Sequence, residues 1–165
     1  QASAGTPSAA WTAHAKAPVF FDLALDGDDL GVVTADARLL CIDRITGHVR
    51  WERYPKVPGE RAEGAAQFSR SLAFYRVNGE LRAIDRATGE QVWALAGGTT
   101  FLAERDDFLL ISGAGGWVMQ VETKTGKMLA KERLAGMTIP THIAPNTTFH
   151  CVTDEGLMVG VEYGW

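Results

Sequence analysis

The sequence predicts an all-β chain made of about four repeated units, each of four short antiparallel strands. The first sign is the stretch C-I-D-R-I-T-G-H-V-R-W at residues 41–51, which returns as A-I-D-R-A-T-G-E-Q-V-W at residues 83–93, with a weaker copy, Q-V-E-T-K-T-G-K-M-L-A, at residues 120–130. The second is the alternation of short strand-like runs with turn residues along the chain, Asn78-Gly79 being the strongest hairpin signal. The third is that no stretch reads convincingly as a helix.

The motif residues have structural duties. An acidic residue at a strand end (Asp43, Asp85, Glu122) can accept hydrogen bonds from the backbone N–H groups that follow it and so start a turn. Gly47, Gly89 and Gly126 close that turn at positive φ, which glycine adopts without steric cost. Trp51 and Trp93, four residues past the glycine, project from the same place in each unit and are expected to wedge against a neighbouring unit. Ala130 stands at that position in the third copy, where the contact should be thinner.

Taken in order, residues 1–7 read as a flexible lead, and residues 8–14, with Trp11 in the role of Trp51, read as the last strand of a unit whose other strands are missing. The first unit spans about 18–53: an apolar run over 18–26, an acidic turn, then strands at Leu30–Thr34, Arg38–Asp43 and His48–Arg53. Residues 54–64, the longest connection, hold two of the six prolines and form a surface loop. The second unit, about 65–95, has strands at Gln67–Arg70, Leu72–Val77, Glu80–Asp85 and Gln91–Leu95. The third, about 99–134, has them at Thr99–Ala103, Phe108–Ser112, Trp117–Glu122 and Lys127–Arg133. The fourth, about 137–162, offers Thr138–Ile143, Thr148–Thr153 and Leu157–Glu162 and stops before a last strand. Residues 8–14 are expected to supply that strand by pairing with 157–162.

Composition narrows the function. With 165 residues and 46% apolar content, residues 8–165 form one domain with one sizeable core. The 16 basic and 20 acidic residues give a net charge of −4 with no basic stripe, which disfavours nucleic acid as a partner. No apolar run approaches the ~20 residues of a membrane-spanning helix. The chain begins at Gln1 with an Ala/Ser/Thr-rich stretch, read as the product of leader removal or as an excised piece. Cys41 and Cys151 lie in strand-like runs and are expected as buried apolar filler, the alternative being a disulfide joining the two ends of the chain.

The acidic turns Asp26, Asp28, Asp29 and Asp106, Asp107 lie at the same place in their units, and turn capping explains them better than a calcium site, which needs 6–8 converging oxygens. His142 and His150 flank the turn at Pro145-Asn146 but lack a third zinc ligand, and His14 and His48 are isolated. No serine sits in a G-x-S-x-G motif, and Gly113 to Gly116 leads into a strand, so it makes a β-turn and no phosphate cradle. Asn146-Thr147-Thr148 is a glycosylation sequon that matters only in a eukaryotic secretory setting. No catalytic, cofactor-binding or metal-binding residue is assigned.

Four-stranded units of about 40 residues are the size of propeller blades, which stack around an axis because a blade cannot bury both faces alone. The repeated A/C-I-D-R-x-T-G-x-x-x-W resembles the repeat of the quinoprotein (PQQ-type) β-propellers over residues 8–162. That family holds bacterial alcohol and glucose dehydrogenases and non-catalytic members, among them the lipoprotein of the outer-membrane protein assembly machinery. The resemblance implies a propeller of about four blades here: a self-closed ring, two chains sharing a larger ring as a homodimer, or part of a longer propeller. It implies no activity, because the motif residues are structural in every member. The expected function is a non-catalytic scaffold for protein partners in the periplasm or another extracytoplasmic compartment, with Tyr54, Arg61 and Glu63 of the long loop as candidate partner contacts. The alternative is a fragment or half of a PQQ-dependent alcohol or sugar dehydrogenase.

Overall fold

The computed structural model describes residues 9–134, 137–138, 148–153 and 157–162, and these contain no helix. In the first unit β1 (Ala24–Asp26), β2 (Asp29–Val33), β3 (Leu39–Asp43) and β4 (Val49–Arg53) lie in chain order in one antiparallel sheet. The second sheet repeats this with β5 (Gln67–Phe68), β6 (Leu72–Val77), β7 (Glu80–Asp85) and β8 (Gln91–Ala96). The third does so with β9 (Gly98–Arg105), β10 (Phe108–Gly113), β11 (Trp117–Glu122) and β12 (Met128–Arg133). The fourth shows β13 (Met137–Thr138), β14 (Thr148–Thr153) and β15 (Met158–Glu162) among the described residues. Strand β1 touches β5 and β5 touches β9, so the first three sheets fan out from their first strands as the blades of a partial propeller.

The repeat motif makes the same hairpin each time. The Asp43 carboxylate accepts from the Ile45 and Thr46 N–H groups at 3.0 and 2.9 Å, and Asp85 does the same with Ala87 and Thr88 at 3.0 and 2.8 Å. Glu122, one methylene longer, accepts from the Thr125 hydroxyl. A bulge follows in all three units, with a register shift after the pairs Cys41↔Trp51, Ala83↔Trp93 and Gln120↔Ala130. Cys41 and Ala83 are small because a tryptophan lies opposite them. Cys41 is a free, buried thiol and forms no bridge to Cys151; burial pushes its pKa up to about 12, and the negative charge of Asp29 adds to the shift.

The tryptophans join the blades in one direction. Trp51 of the first blade lies on the turn of the second, its indole N–H donating to the Arg86 carbonyl at 2.8 Å, and Trp93 of the second donates to the Thr123 carbonyl of the third, also at 2.8 Å. The glycines are needed for this contact as well as for the turn. A Cβ on Gly89 would sit 2.8 Å from the Trp51 ring and one on Gly126 2.6 Å from Trp93, while their φ angles are 76° and 71°. Among the described residues, two apolar cores join neighbouring blades face to face. One joins Leu39, Cys41 and Trp51 to Ala73, Tyr75 and Ile84; the other joins Phe74, Ala83 and Trp93 to Leu109, Ile111 and Val121. The alternation of Phe74 and Tyr75 toward opposite neighbours is the period of two expected of a strand buried on both faces.

An arginine clamp reinforces the first interface. Arg86 of the second blade donates to Asp29 at 2.5 Å and also pairs with Asp26, both in the first blade. Arg50 holds Asp29 at 2.8 Å and Asp43 at 2.7 Å, so the acidic turn is neutralised by arginines. The hydrogen bond from Arg50 heads the causes that hold the Asp43 carboxyl far below the ordinary carboxylate range.

Two expectations change. The apolar run 18–26 yields a strand only at Ala24–Asp26, with Phe20 and Leu23 exposed. Residues 9–14, expected as a strand of the last unit, form none. The segment is tied to the first blade by side chains and carbonyls instead of along a sheet edge: the Trp11 indole donates to the Arg44 carbonyl at 2.9 Å and Arg38 donates to the Ala15 carbonyl at 2.7 Å. Trp11 nevertheless takes the role expected of it, since a Cβ on Gly47 would lie 2.5 Å from its ring, the same contact Trp51 and Trp93 make. All six residues of β12, Ala130 included, are exposed, in keeping with the absent tryptophan. The flexible lead at 1–7, His142, the turns at Pro145-Asn146 and Asp154-Glu155-Gly156, and most of the sequon lie outside the described residues.

Replacing Trp93 by Ala is expected to cost about 3–5 kcal/mol in urea unfolding, because it removes a large buried ring and leaves a cavity. Gly89→Ala is expected to cost at least about 1 kcal/mol, since Ala meets both the positive φ and the Trp51 ring. Equal unfolding midpoints for Gly89→Ala and the parent chain would refute the account of the turn glycine.

Candidate functional site

The long connection between the first two blades is an ordered structure. Proline-rich at its start, residues 54–64 run from the end of β4 over one rim of the sheets toward β5. Its centre is fixed by a buried ion pair in which Arg82 on β7 donates to both oxygens of Glu60, at 2.9 and 2.5 Å, while the Lys56 N–H donates to the same carboxylate at 2.9 Å. Arg82 and Glu60 are each 6% exposed. The hydrogen bond from Arg82 outweighs burial and holds the Glu60 carboxyl below its ordinary range.

The second half of the loop is stitched to the β6–β7 turn. Ala62 bridges to Val77, the Arg61 N–H donates to the Asn78 side chain at 3.0 Å and Asn78 N–H returns a bond to the Arg61 carbonyl at 3.2 Å. Asn78 sits at φ 49°, a conformation asparagine tolerates, and so presents its side chain to the loop.

Of the sequence-derived contact residues, Tyr54 and Arg61 line the same cavity of about 570 Å³, whose other walls include Lys16, Asp36, Arg38 and Glu60. Tyr54 is 56% exposed; its hydroxyl donates to Glu52 at 3.0 Å, and the Arg38 guanidinium stands 5.8 Å from its ring centroid. Glu63 is used otherwise. Its carboxylate accepts from the Gly79 N–H at 2.9 Å and pairs with Arg76 at 3.0 Å, so it anchors the loop.

Sequence reasoning missed the residues that build the cavity floor. Arg38, buried, pairs with Asp36 at 3.0 Å and Glu52 at 2.7 Å. At Asp36 burial favours the neutral form, but bonds from Thr34 and Arg38 outweigh it and keep the carboxyl below its usual range. The available signal was Arg82 itself, a cation between Leu81 and Ala83 in β7, in a position that burial would make costly without an acidic partner. Among the described residues no group of three or more His, Cys, Asp or Glu is placed to hold a metal ion. No helix among them is long and apolar enough to cross a membrane.

Because folding lowers the Glu60 pKa below its ordinary value of 4.5, the stabilisation from the Glu60–Arg82 pair is fully present above that pH and is lost as the pH falls through the folded-state value. Glu60→Gln is expected to cost about 2 kcal/mol at pH 7, with the gap to the parent narrowing under acid conditions. Urea titrations at neutral and acid pH measure both, and a gap that does not narrow would count against this pair as an acid-sensitive tie.

The fold and the repeat have known counterparts. A profile of the family described as Outer membrane protein assembly factor BamB matches residues 2–95, more than half of the chain. The crystal structure of BamB from Moraxella catarrhalis superposes with a TM-score of 0.72 at 22% identity, covering 93% of this chain and 49% of that one. The computationally designed Ika4 protein gives 0.65 at 14% identity, covering 97% of this chain and 99% of that one. A europium-containing methanol dehydrogenase gives 0.57 at 14% identity over 87% of this chain and 41% of that one. No curated protein sequence matches. The chain thus spans about half the length of the BamB structure, and likenesses at such identity speak to the fold alone. With its Asp-Thr-Gly-Trp repeats and fan of four-stranded sheets, the chain belongs to the PQQ-type repeat family described as outer membrane protein assembly factor BamB.

Proposed function

We propose that the chain is a non-catalytic interaction module that presents the 54–64 loop and the adjoining cavity to a protein partner, in a periplasmic or other extracytoplasmic compartment. The observation that carries this reading is the loop's preorganisation. Glu60, Glu63 and Ala62 are spent on fastening the loop to the second blade, while Tyr54 and Arg61 remain exposed on it. Tyrosine and arginine are the residue types that carry most energy at protein interfaces, and a loop already held in place loses little entropy on binding. The compartment is inferred from the family description, which concerns outer-membrane protein assembly.

Tyr54→Ala and Arg61→Ala are each expected to weaken capture of the partner from envelope extracts by roughly 30-fold or more, as loss of about 2 kcal/mol at a hot spot requires. Their unfolding midpoints should stay near the parent's, since neither side chain is buried. Unchanged capture by the double variant would refute the loop as the docking element.

A further inference from the structure

The cavity beside the loop has an unbalanced charge. Arg38 is matched by Asp36 and Glu52, and Glu60 by Arg82. Lys16 and Arg61, which line the same cavity, have no acidic partner among the described residues. The side chains lining the cavity include three cations (Lys16, Arg38, Arg61) and two carboxylates (Asp36, Glu60), an excess of one positive charge in a chain whose net charge is −4. Among the described residues Lys16 and Arg61 are the two of these cations with no carboxylate in contact.

Lys16 is held there under strain. Its φ is 60°, in the left-handed region that a residue with a Cβ rarely enters. The backbone is pinned on both sides, by the bond from Arg38 to the Ala15 carbonyl at 2.7 Å and by that from the Ala35 N–H to the Pro18 carbonyl at 2.8 Å. Glycine would fit this conformation without cost, yet the position carries a long cationic side chain that makes no hydrogen bond or ion pair among the described residues. Strained residues of this kind gather at ligand clamps. Beside Lys16 and Arg61, the half-exposed ring of Tyr54 gives the cavity an apolar wall.

We propose that this cavity is a carboxylate-binding site that takes an acidic group from an extended segment of the protein partner. Arg61 supplies a planar fork suited to bidentate recognition of a carboxylate, Lys16 a second point charge, and Tyr54 packs against the methylenes that lead to the acid. The assignment rests on the docking role proposed for the loop and gives that docking its chemistry.

Nuclear magnetic resonance titration of the whole chain tests it with three small probes. N-acetyl-glutamate α-amide presents a side-chain carboxylate, N-acetyl-alanine a main-chain carboxylate, and N-acetyl-glutamine amide neither. Saturable shifts at Lys16, Tyr54 and Arg61 are expected with the first probe and not with the third. A response to N-acetyl-alanine alone would reassign the source to a chain terminus and overturn the side-chain form of the proposal. Arg61→Gln and Lys16→Gly should each weaken binding by roughly tenfold, the loss of one charged contact. Lys16→Gly should also raise the unfolding midpoint by relieving the backbone, so its lost binding cannot be ascribed to misfolding. Equal shifts with the uncharged probe, or shifts spread over basic side chains outside the cavity, would overturn the proposal. A chain that still captures its partner through Tyr54 but gives no saturable carboxylate response would overturn the carboxylate assignment alone and leave loop docking standing.

Discussion

The indole of one blade resting on the glycine turn of the next is the contact on which the rest of this structure depends. A four-stranded sheet of this size has two apolar faces and cannot bury either by itself. The tryptophan covers the join at its outer edge, and its N–H satisfies a turn carbonyl that would otherwise lose its water partner. Trp51 and Trp93 are 9% and 7% exposed, so nearly all of each ring is removed from solvent. The same geometry recurs with Trp11, although its segment is not a strand. The docking geometry is therefore a property of the turn and the ring and does not require a sheet beneath the tryptophan.

That contact sets the outer edge of each interface, and at the first interface charged groups set the inner one. Arg86 crosses to Asp26 and Asp29 near the first strands, its guanidinium 4.9 Å from the centre of the Phe68 ring. Asp29 is 8% exposed in its side chain, and a carboxylate so buried is tolerable only because two guanidiniums reach it. With edge and axis both fastened, the first two blades form a stiff base, and the loop between them inherits that stiffness through Glu60, Glu63 and Asn78. A loop held this way would need no large rearrangement to serve the docking role proposed for it.

The division between fold and function runs through individual residues. Asp43, Gly47 and Trp51 and their copies Asp85, Gly89 and Trp93 are engaged in turns and blade contacts; in the third copy Glu122 caps its turn through Thr125. Tyr54 and Arg61 lie outside the repeat and face solvent. Likeness to a methanol dehydrogenase and to a BamB structure is a likeness of fold, which proteins of different activity can share.

The sequence alone determined the strand pattern, the hairpin turns and the places of Trp11, Trp51 and Trp93, because these follow from local rules: alternation of period two, acid-started turns and glycine at positive φ. Strands β6, β7, β11 and β14 have the bounds the pattern predicts. Tyr54 and Arg61 were legible as exposed loop residues of interface type. Only the tertiary structure decided that Glu63 is an anchor, that Glu60 and Arg82 are a buried pair, and that Lys16, remote in sequence, lines the same cavity as Arg61. Those relations depend on how one blade is set against the next, and pairing of charges across such a gap leaves no periodic trace in the chain. The second role of the turn glycines, making room for the neighbouring indole, was hidden for the same reason: it is a distance between units.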